Sequence, residues 1–249
     1  MRRVVSLLIG STLFLSACAD KHHARVIVID PGHGGLDPGA VGSTSNILEK
    51  EVTLRMGLAL RDQLEATGRY QVIMSRDDDR MVRLCDRLQI ARQSQGELLI
   101  SIHADSLTTA PEVGGASVYT LSELVSDDEA TRRASKEECA DVPAGIDLSN
   151  QEDIVPEMLI DLAQRNAESI TLAELLVQEL NRATKMVKLR PAQAEFVVLT
   201  LREMPSVLIE LGYLSNPADE QALADDAHIA RLATAIARAV DVYFGTGSS

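Results

Sequence analysis

The sequence predicts an α/β fold: a single domain on a twisted, mostly parallel or mixed sheet, with helices on both faces and a helical insertion. Three observations point there. Short apolar runs rich in β-branched residues alternate with segments whose apolar residues recur at helical spacing, as in βα units. Two histidines, His33 and His103, fall at the carboxyl ends of such runs, where open α/β sheets place their sites. The 249 residues, 45% of them hydrophobic, give room for one sizeable core once a leader is set aside.

The leader comes first. Basic Arg2 and Arg3 precede an apolar run from Val4 to Leu15, which reads as a secretory signal and is short for a membrane span. It ends in Leu15-Ser16-Ala17-Cys18, which looks like a bacterial lipobox: residues 1–17 form the signal, Cys18 is the acylated residue, and 18–24 tether a domain over 25–245. The expected location is therefore exported and membrane-anchored, facing the periplasm. Ala19 after the cysteine favours the outer membrane.

Val26, Ile27, Val28 and Ile29 make a buried strand that Asp30-Pro31 ends. The following Gly-His-Gly-Gly presents His33 on a loop whose glycines let the backbone pass close to a ligand. A helix runs from Glu49 to about Thr67, with Val52, Met56, Leu60 and Leu64 at helical spacing and Gly68 as its stop. Tyr70 to Met74 is a strand and Arg76 to Asp79 a polar turn. Met81 to Gln93 is a second amphipathic helix, with Cys85 near its inner face as a core residue. Leu98 to His103 is the next strand. Gly115 to Leu121 returns as a strand, and 126–153 is acidic and poorly patterned. A helix capped by Ser126 or Asp127 reaches about Cys139, Pro156 opens another, and a long one spans Asn166 to Met186. Strands are expected at Phe196 to Leu199 and Ser206 to Leu211, a short helix after Asn216-Pro217, and a last helix over Ala227 to Phe244. His22, His23 and His228 read as solvated.

Composition narrows the function. The formal charge of −13 argues against nucleic acid, whose phosphates need Lys and Arg. Aromatics at 3%, with no Trp, argue against a separate sugar-stacking module. Three cysteines, Cys18, Cys85 and Cys139, are no disulfide framework. Two histidines at strand ends plus a helix-start glutamate are the three-ligand set of a catalytic zinc, with a fourth position left for water. Glu49 and Glu51 compete for the third place. Asp105, two residues past His103, reads equally well as a carboxylate orienting a ligand and as a loop cap. Glu210 closes the apolar strand Val207-Leu208-Ile209, a costly place for a carboxylate unless it is paired, hydrogen-bonded or wet.

Four motifs, DPGHGG, NILEKE, SIHAD and PSVLIELGYLSN, occur in one order over Arg25 to Phe244. The chain thereby resembles the zinc-dependent N-acetylmuramoyl-L-alanine amidases of the cell-division type. The resemblance selects Glu49 over Glu51 as ligand and implies a zinc-activated water with Glu210 as general base. Leu211, where members often carry Thr, is a mild departure. The implied reaction cleaves the amide between N-acetylmuramic acid and L-alanine of peptidoglycan, in cell separation. The resemblance also implies that the insertion, about 126–165, is regulatory. Its KEECAD segment puts Glu137, or Glu138, on the zinc until an activator with a LytM domain removes it. Asp153 to Arg165 would be the activator-docking helix. The expected partners are peptidoglycan, that activator and the membrane through the anchor, with the chain a monomer. One rival is another zinc cell-wall peptidase, such as a carboxypeptidase gripping a terminal carboxylate with Arg202 or Arg76. A second is a non-catalytic wall-binding lipoprotein.

Overall fold

The structure, a computed structural model, describes residues 24–122, 156–201 and 203–245. Six strands form one sheet: β1 (Arg25–Pro31), β2 (Tyr70–Met74), β3 (Leu98–Asp105), β4 (Ser117–Leu121), β5 (Ala192–Ala194) and β6 (Ser206–Tyr213), in the order β2-β1-β3-β6-β4-β5. All neighbours pair in parallel except β4 with β6. The helices are α1 (Glu49–Glu65), α2 (Leu84–Gln93), α3 (Pro156–Ala183), α4 (Pro217–Ala224) and α5 (Asp226–Tyr243).

The two faces of the sheet are filled differently. Ile27, Ile29, Ile100, Ile102, Val207 and Ile209 project to one face and are buried under α1, α3 and α5. The alternate residues, Val28, Leu99 and Leu208, meet Leu88 and Ala91 of α2 and a turn of 3-10 helix over Val197–Thr200. Central strands buried on both faces explain why they read as unbroken apolar runs. Asn216 caps α4 by accepting from the N–H groups of Ala218 and Asp219, and Asp225 caps α5 through Ala227.

Several expectations are corrected. The run Phe196 to Leu199 forms no strand: Val198 and Leu199 are buried against α2, so packing rather than ladder pairing satisfies these β-favouring residues. The helices expected from Pro156 and from Asn166 are one, 28 residues long. Proline is tolerated in a first turn, and neither Gly nor a second Pro interrupts the helix down to Ala183. α2 starts at Leu84 rather than Met81. His228 is buried rather than solvated, with its ring beside Arg231, and burial first and then that guanidinium lower its pKa. Cys85, expected as a plain core residue, is buried and disulfide-bonded. The leader, Cys18, Glu137, Glu138 and Arg202 lie outside the described residues, as does most of the insertion.

Candidate metal centre

The site is built on the loop that leaves β1. Its first glycine, Gly32, donates its N–H to the carbonyl of Ile102 at 2.9 Å, and a Cβ there would stand 2.3 Å from the His103 ring. Only glycine lets the loop pass this close. His33 follows with φ 61°, a left-handed conformation that costs a non-glycine residue roughly 1–2 kcal/mol.

Two buried guanidinium groups hold that conformation. Arg87 donates to Asp30 and the Pro31 carbonyl, both at 2.6 Å, and to the His33 carbonyl at 2.6 Å. Arg76, fully buried, donates to the carbonyls of Pro31 (3.0 Å), Gly32 and Lys50 (both 2.8 Å) and to the Thr53 hydroxyl (2.9 Å). Three successive carbonyls are thus satisfied from below. Asp30 balances Arg87. Burial would raise its carboxyl, but the Arg87 charge and bonds from Ser75 and Arg87 bring it below its ordinary value. Arg76 is therefore committed to backbone oxygens and the Thr53 hydroxyl and cannot grip a substrate carboxylate, which removes one of the two arginines offered for the carboxypeptidase rival.

Glu49, the first residue of α1, points back into this loop. Its Oε2 lies 3.0 Å from His33 Nε2 and accepts the Ala40 N–H at 2.8 Å. Its Oε1 lies 2.9 Å from His103 Nδ1 and accepts the Ala104 N–H at 3.0 Å. Burial alone would raise the Glu49 carboxyl; bonds and charge from His103 and His33 outweigh it and hold the group well below the usual carboxylate range. Glu51 is exposed and turns back to the Leu48 N–H at 3.4 Å, so it faces away from the histidines.

The second nitrogen of His33 meets Asp37 at 2.8 Å. A neutral imidazole has one N–H, and here both His33 nitrogens face carboxylates, an arrangement that favours the doubly protonated ring. Its pKa is accordingly raised: burial opposes this, and Glu49 and then Asp37 overcome it. One atom each of His33, Glu49 and His103 lie within 4.8 Å of one another, and among the described residues this is the one such group that could hold a metal. The donor set fits zinc: two imidazoles, one carboxylate, and a carboxylate behind one imidazole to fix its orientation.

Glu210 stands beside this group by strand register. It is level with His103 on the adjacent parallel strand and with Ser117 on the antiparallel one. It is 7% exposed, and its Oε2 has no hydrogen-bond partner among the described residues. Burial, then the charges of Asp105 and Glu49, push its pKa well up, against a bond from the Asp105 backbone. Asp105 itself accepts the Ser106 N–H at 2.6 Å, while the described side-chain hydrogen bonds of the two histidines go to Asp37 and Glu49.

Sequence reasoning passes over Asp37, Arg87 and Glu220, and offers Arg76 only as a grip for a substrate carboxylate. Glu220, in the first turn of α4, crosses to the loop ahead of α1 and accepts from the N–H groups of Thr44 (2.8 Å) and Ser45 (2.6 Å) and from the hydroxyls of Ser45 (2.7 Å) and Ser43 (3.2 Å). These bonds prevail over burial and bring its pKa down to about 2. Asp37 alone leaves a sequence trace, four residues past His33 in a glycine-rich loop.

Comparison with known proteins agrees with this geometry. A family model described as N-acetylmuramoyl-L-alanine amidase matches residues 27–242. N-acetylmuramoyl-L-alanine amidase AmiA of Escherichia coli K12 is 36% identical over 223 residues, covering 88% of this chain and 76% of that protein. AmiC of Neisseria meningitidis serogroup B is also 36% identical, with 89% and 53% covered. The solved amidase AmiC2 of Nostoc punctiforme superposes with a TM-score of 0.65 at 29% identity, over 89% of this chain and 97% of that one.

Proposed function

The chain belongs to the N-acetylmuramoyl-L-alanine amidase family, and from that premise we propose that zinc held by His33, Glu49 and His103 serves hydrolysis of the amide between N-acetylmuramic acid and L-alanine in peptidoglycan. The observation that carries it is the Glu49 carboxylate between two imidazoles, with the unpartnered oxygen of Glu210 one strand away. Zinc supplies, when bound, a Lewis acid for the scissile carbonyl and a lowered pKa for water.

The chain's own residues do the rest. Asp37 keeps a proton on His33 Nδ1, which leaves Nε2 as the coordinating atom. Arg76, Arg87 and Thr53 hold the loop that aims this ring. Glu210 Oε2 takes a proton from the attacking water and returns it to the leaving nitrogen, a role worth roughly 10² to 10⁴ in rate. Its buried setting favours proton uptake, since every negative neighbour opposes its ionisation.

The regulatory and cellular parts of this reading rest on the sequence resemblance. The insertion, about 126–165, carries Glu137 as the inhibitory ligand until a LytM-domain activator displaces it. Cys18 anchors the protein to the outer membrane, where it acts in cell separation.

The test is mass spectrometry of purified peptidoglycan digested by the chain from Ala24, intact and with Asp127 to Asp153 replaced by a Gly/Ser linker. Glu210→Gln versions serve as controls. Release of intact stem peptides with free L-alanine amino termini, lost on Glu210→Gln, is the expected result. Activity from the shortened form alone supports the inhibitory segment, and equal activity from both removes it. A released terminal D-amino acid would turn the reading to a carboxypeptidase.

A further inference from the structure

Beyond the catalytic group, the chain between α3 and β5 is unusual for so acidic a protein. Residues 187–190 are all exposed, and Lys185, Lys188 and Arg190 have no ion pair among the described residues. Most other surface cations among the described residues have one, as Arg25 with Glu97 and Arg83 with Asp86 do. Apolar side chains interleave with these cations: Val187 is 36% exposed and Leu189 68%. An acidic chain keeps such a strip bare at some cost in solubility, which points to a ligand.

The position of the strip tells what ligand. Met186 bridges Ala116 in parallel, the Val187 N–H donates to the Ala116 carbonyl at 2.9 Å, and Ser117 is level with Glu210. The segment therefore continues the row His103, Glu210, Ser117 outward to the sheet edge. Ala116 and Met186 both enter the core under α3 and α5. By alternation, Lys185 and Val187 stand on the opposite face, the one that carries Glu210. Two strand spacings, about 10 Å, separate the Glu210 backbone from this segment. An extended peptide advances about 3.3 Å per residue, so the second and third residues beyond a bond held at Glu210 reach it.

The other flank of the site has the opposite sign. Beyond β1 stand the exposed Asp77, Asp78 and Asp79 and the half-exposed Asp37, where Arg80 and Lys50 are the cations that pair with the three consecutive aspartates. An anionic peptide is repelled there and drawn towards β5.

Taking the amidase reading as its base, we propose that Lys185, Lys188 and Arg190, with Val187 and Leu189, form the subsite for the anionic stem peptide. They bind carboxylates two or three residues beyond the scissile amide and so choose between free and amidated stems.

The test uses the chain from Ala24 with Asp127 to Asp153 replaced by the Gly/Ser linker, so that the proposed inhibitory segment is absent, zinc-loaded and carrying Glu210→Gln so that the ligand is not consumed. It is made with and without the triple substitution Lys185→Gln, Lys188→Gln, Arg190→Gln, whose sites are exposed; the melting temperature checks the fold. The probes are a synthetic muramoyl tripeptide with free carboxylates and the same compound amidated. The intact strip should bind the acid about tenfold more tightly than the amide at low salt, and the triple variant should bind both alike. Equal binding of acid and amide on the intact strip, a preference that survives the substitutions, or no binding of either compound overturns the proposal. Vesicles with an anionic lipid form a further arm. Retention on them that the substitutions abolish, with muramoyl peptide binding untouched, would assign the strip to a membrane surface instead. Peptidoglycan turnover by the same shortened chain with Glu210 intact is scored separately, so failure of the amidase reading is seen independently of the strip.

Discussion

His33 lies between the carboxylates of Asp37 and Glu49, which favour a second proton on the nitrogen that the proposed metal would need. Metal uptake must therefore release it. Because the His33 pKa is raised above 6.5, the competing proton is still bound at a pH where a free imidazole would have lost it. Apparent zinc affinity should rise with pH through the neutral range, and titration calorimetry in buffers of different ionisation enthalpy should show proton release. A pH-independent affinity without proton release would contradict the doubly bonded His33. A matched glycine pair tests the other ligand. Gly39 has φ 65°, and a Cβ there would lie 2.5 Å from Glu49 Oε2; Gly68 has φ 69° with nothing within 4 Å. Both Gly→Ala changes carry the same backbone cost, about 1 kcal/mol. Only Gly39→Ala should also weaken zinc binding, by roughly 10- to 100-fold as for a disturbed ligand partner. The two histidines and Glu210 were legible in the sequence because each closes an apolar strand. Glu49 needed the family resemblance to be told from Glu51, since only a folded loop shows which carboxylate turns inward.

Elements enter through what they deliver. Helix α4 has one buried carboxylate, Glu220, and spends it on the loop over residues 43–45 that leads into Glu49. Such bonds to an ionised acceptor are each worth about 1.5–3 kcal/mol. Glu220→Gln should lower unfolding stability by about 2 kcal/mol near neutral pH. The pH dependence has a definite sign. The folded pKa of about 2 lies below the ordinary 4.5, so the stabilisation is complete above about 4.5 and is lost as pH falls towards 2. Urea unfolding of both proteins across that range should show the difference shrinking with acidity; a constant difference would place the effect elsewhere. Arg76 and Arg87 show why such devices escape sequence reading. Four of their bonds go to carbonyls of a loop 44 to 56 positions away, and a backbone oxygen carries no residue identity. The run Phe196 to Leu199 shows the converse: its β-favouring residues read as a strand, but packing of Val198 and Leu199 on α2 replaces pairing.

At the scale of the molecule, the sheet was legible because its central strands are apolar on both faces, while the joining of the two α3 helices was not, for want of any stop signal to weigh. The fold itself does not hang on the metal. The proposed ligands come from β1's loop, α1 and β3, which are already tied by the β1–β3 ladder, by the arginine clamp and by a core that spans every strand but β5. A zinc finger, by contrast, has no such core and unfolds without its ion. Chelation should therefore abolish amidase activity and leave the secondary structure in place, with a cooperative thermal transition at a lower temperature. The lowering follows mass action: zinc at a thousandfold excess over its Kd adds about 4 kcal/mol. Restoring zinc should recover both activity and melting temperature. Circular dichroism and calorimetry on the chelated protein decide the matter. Loss of the helical signal on chelation would mean that the metal organises the loops around the sheet rather than occupying a site the chain has already built.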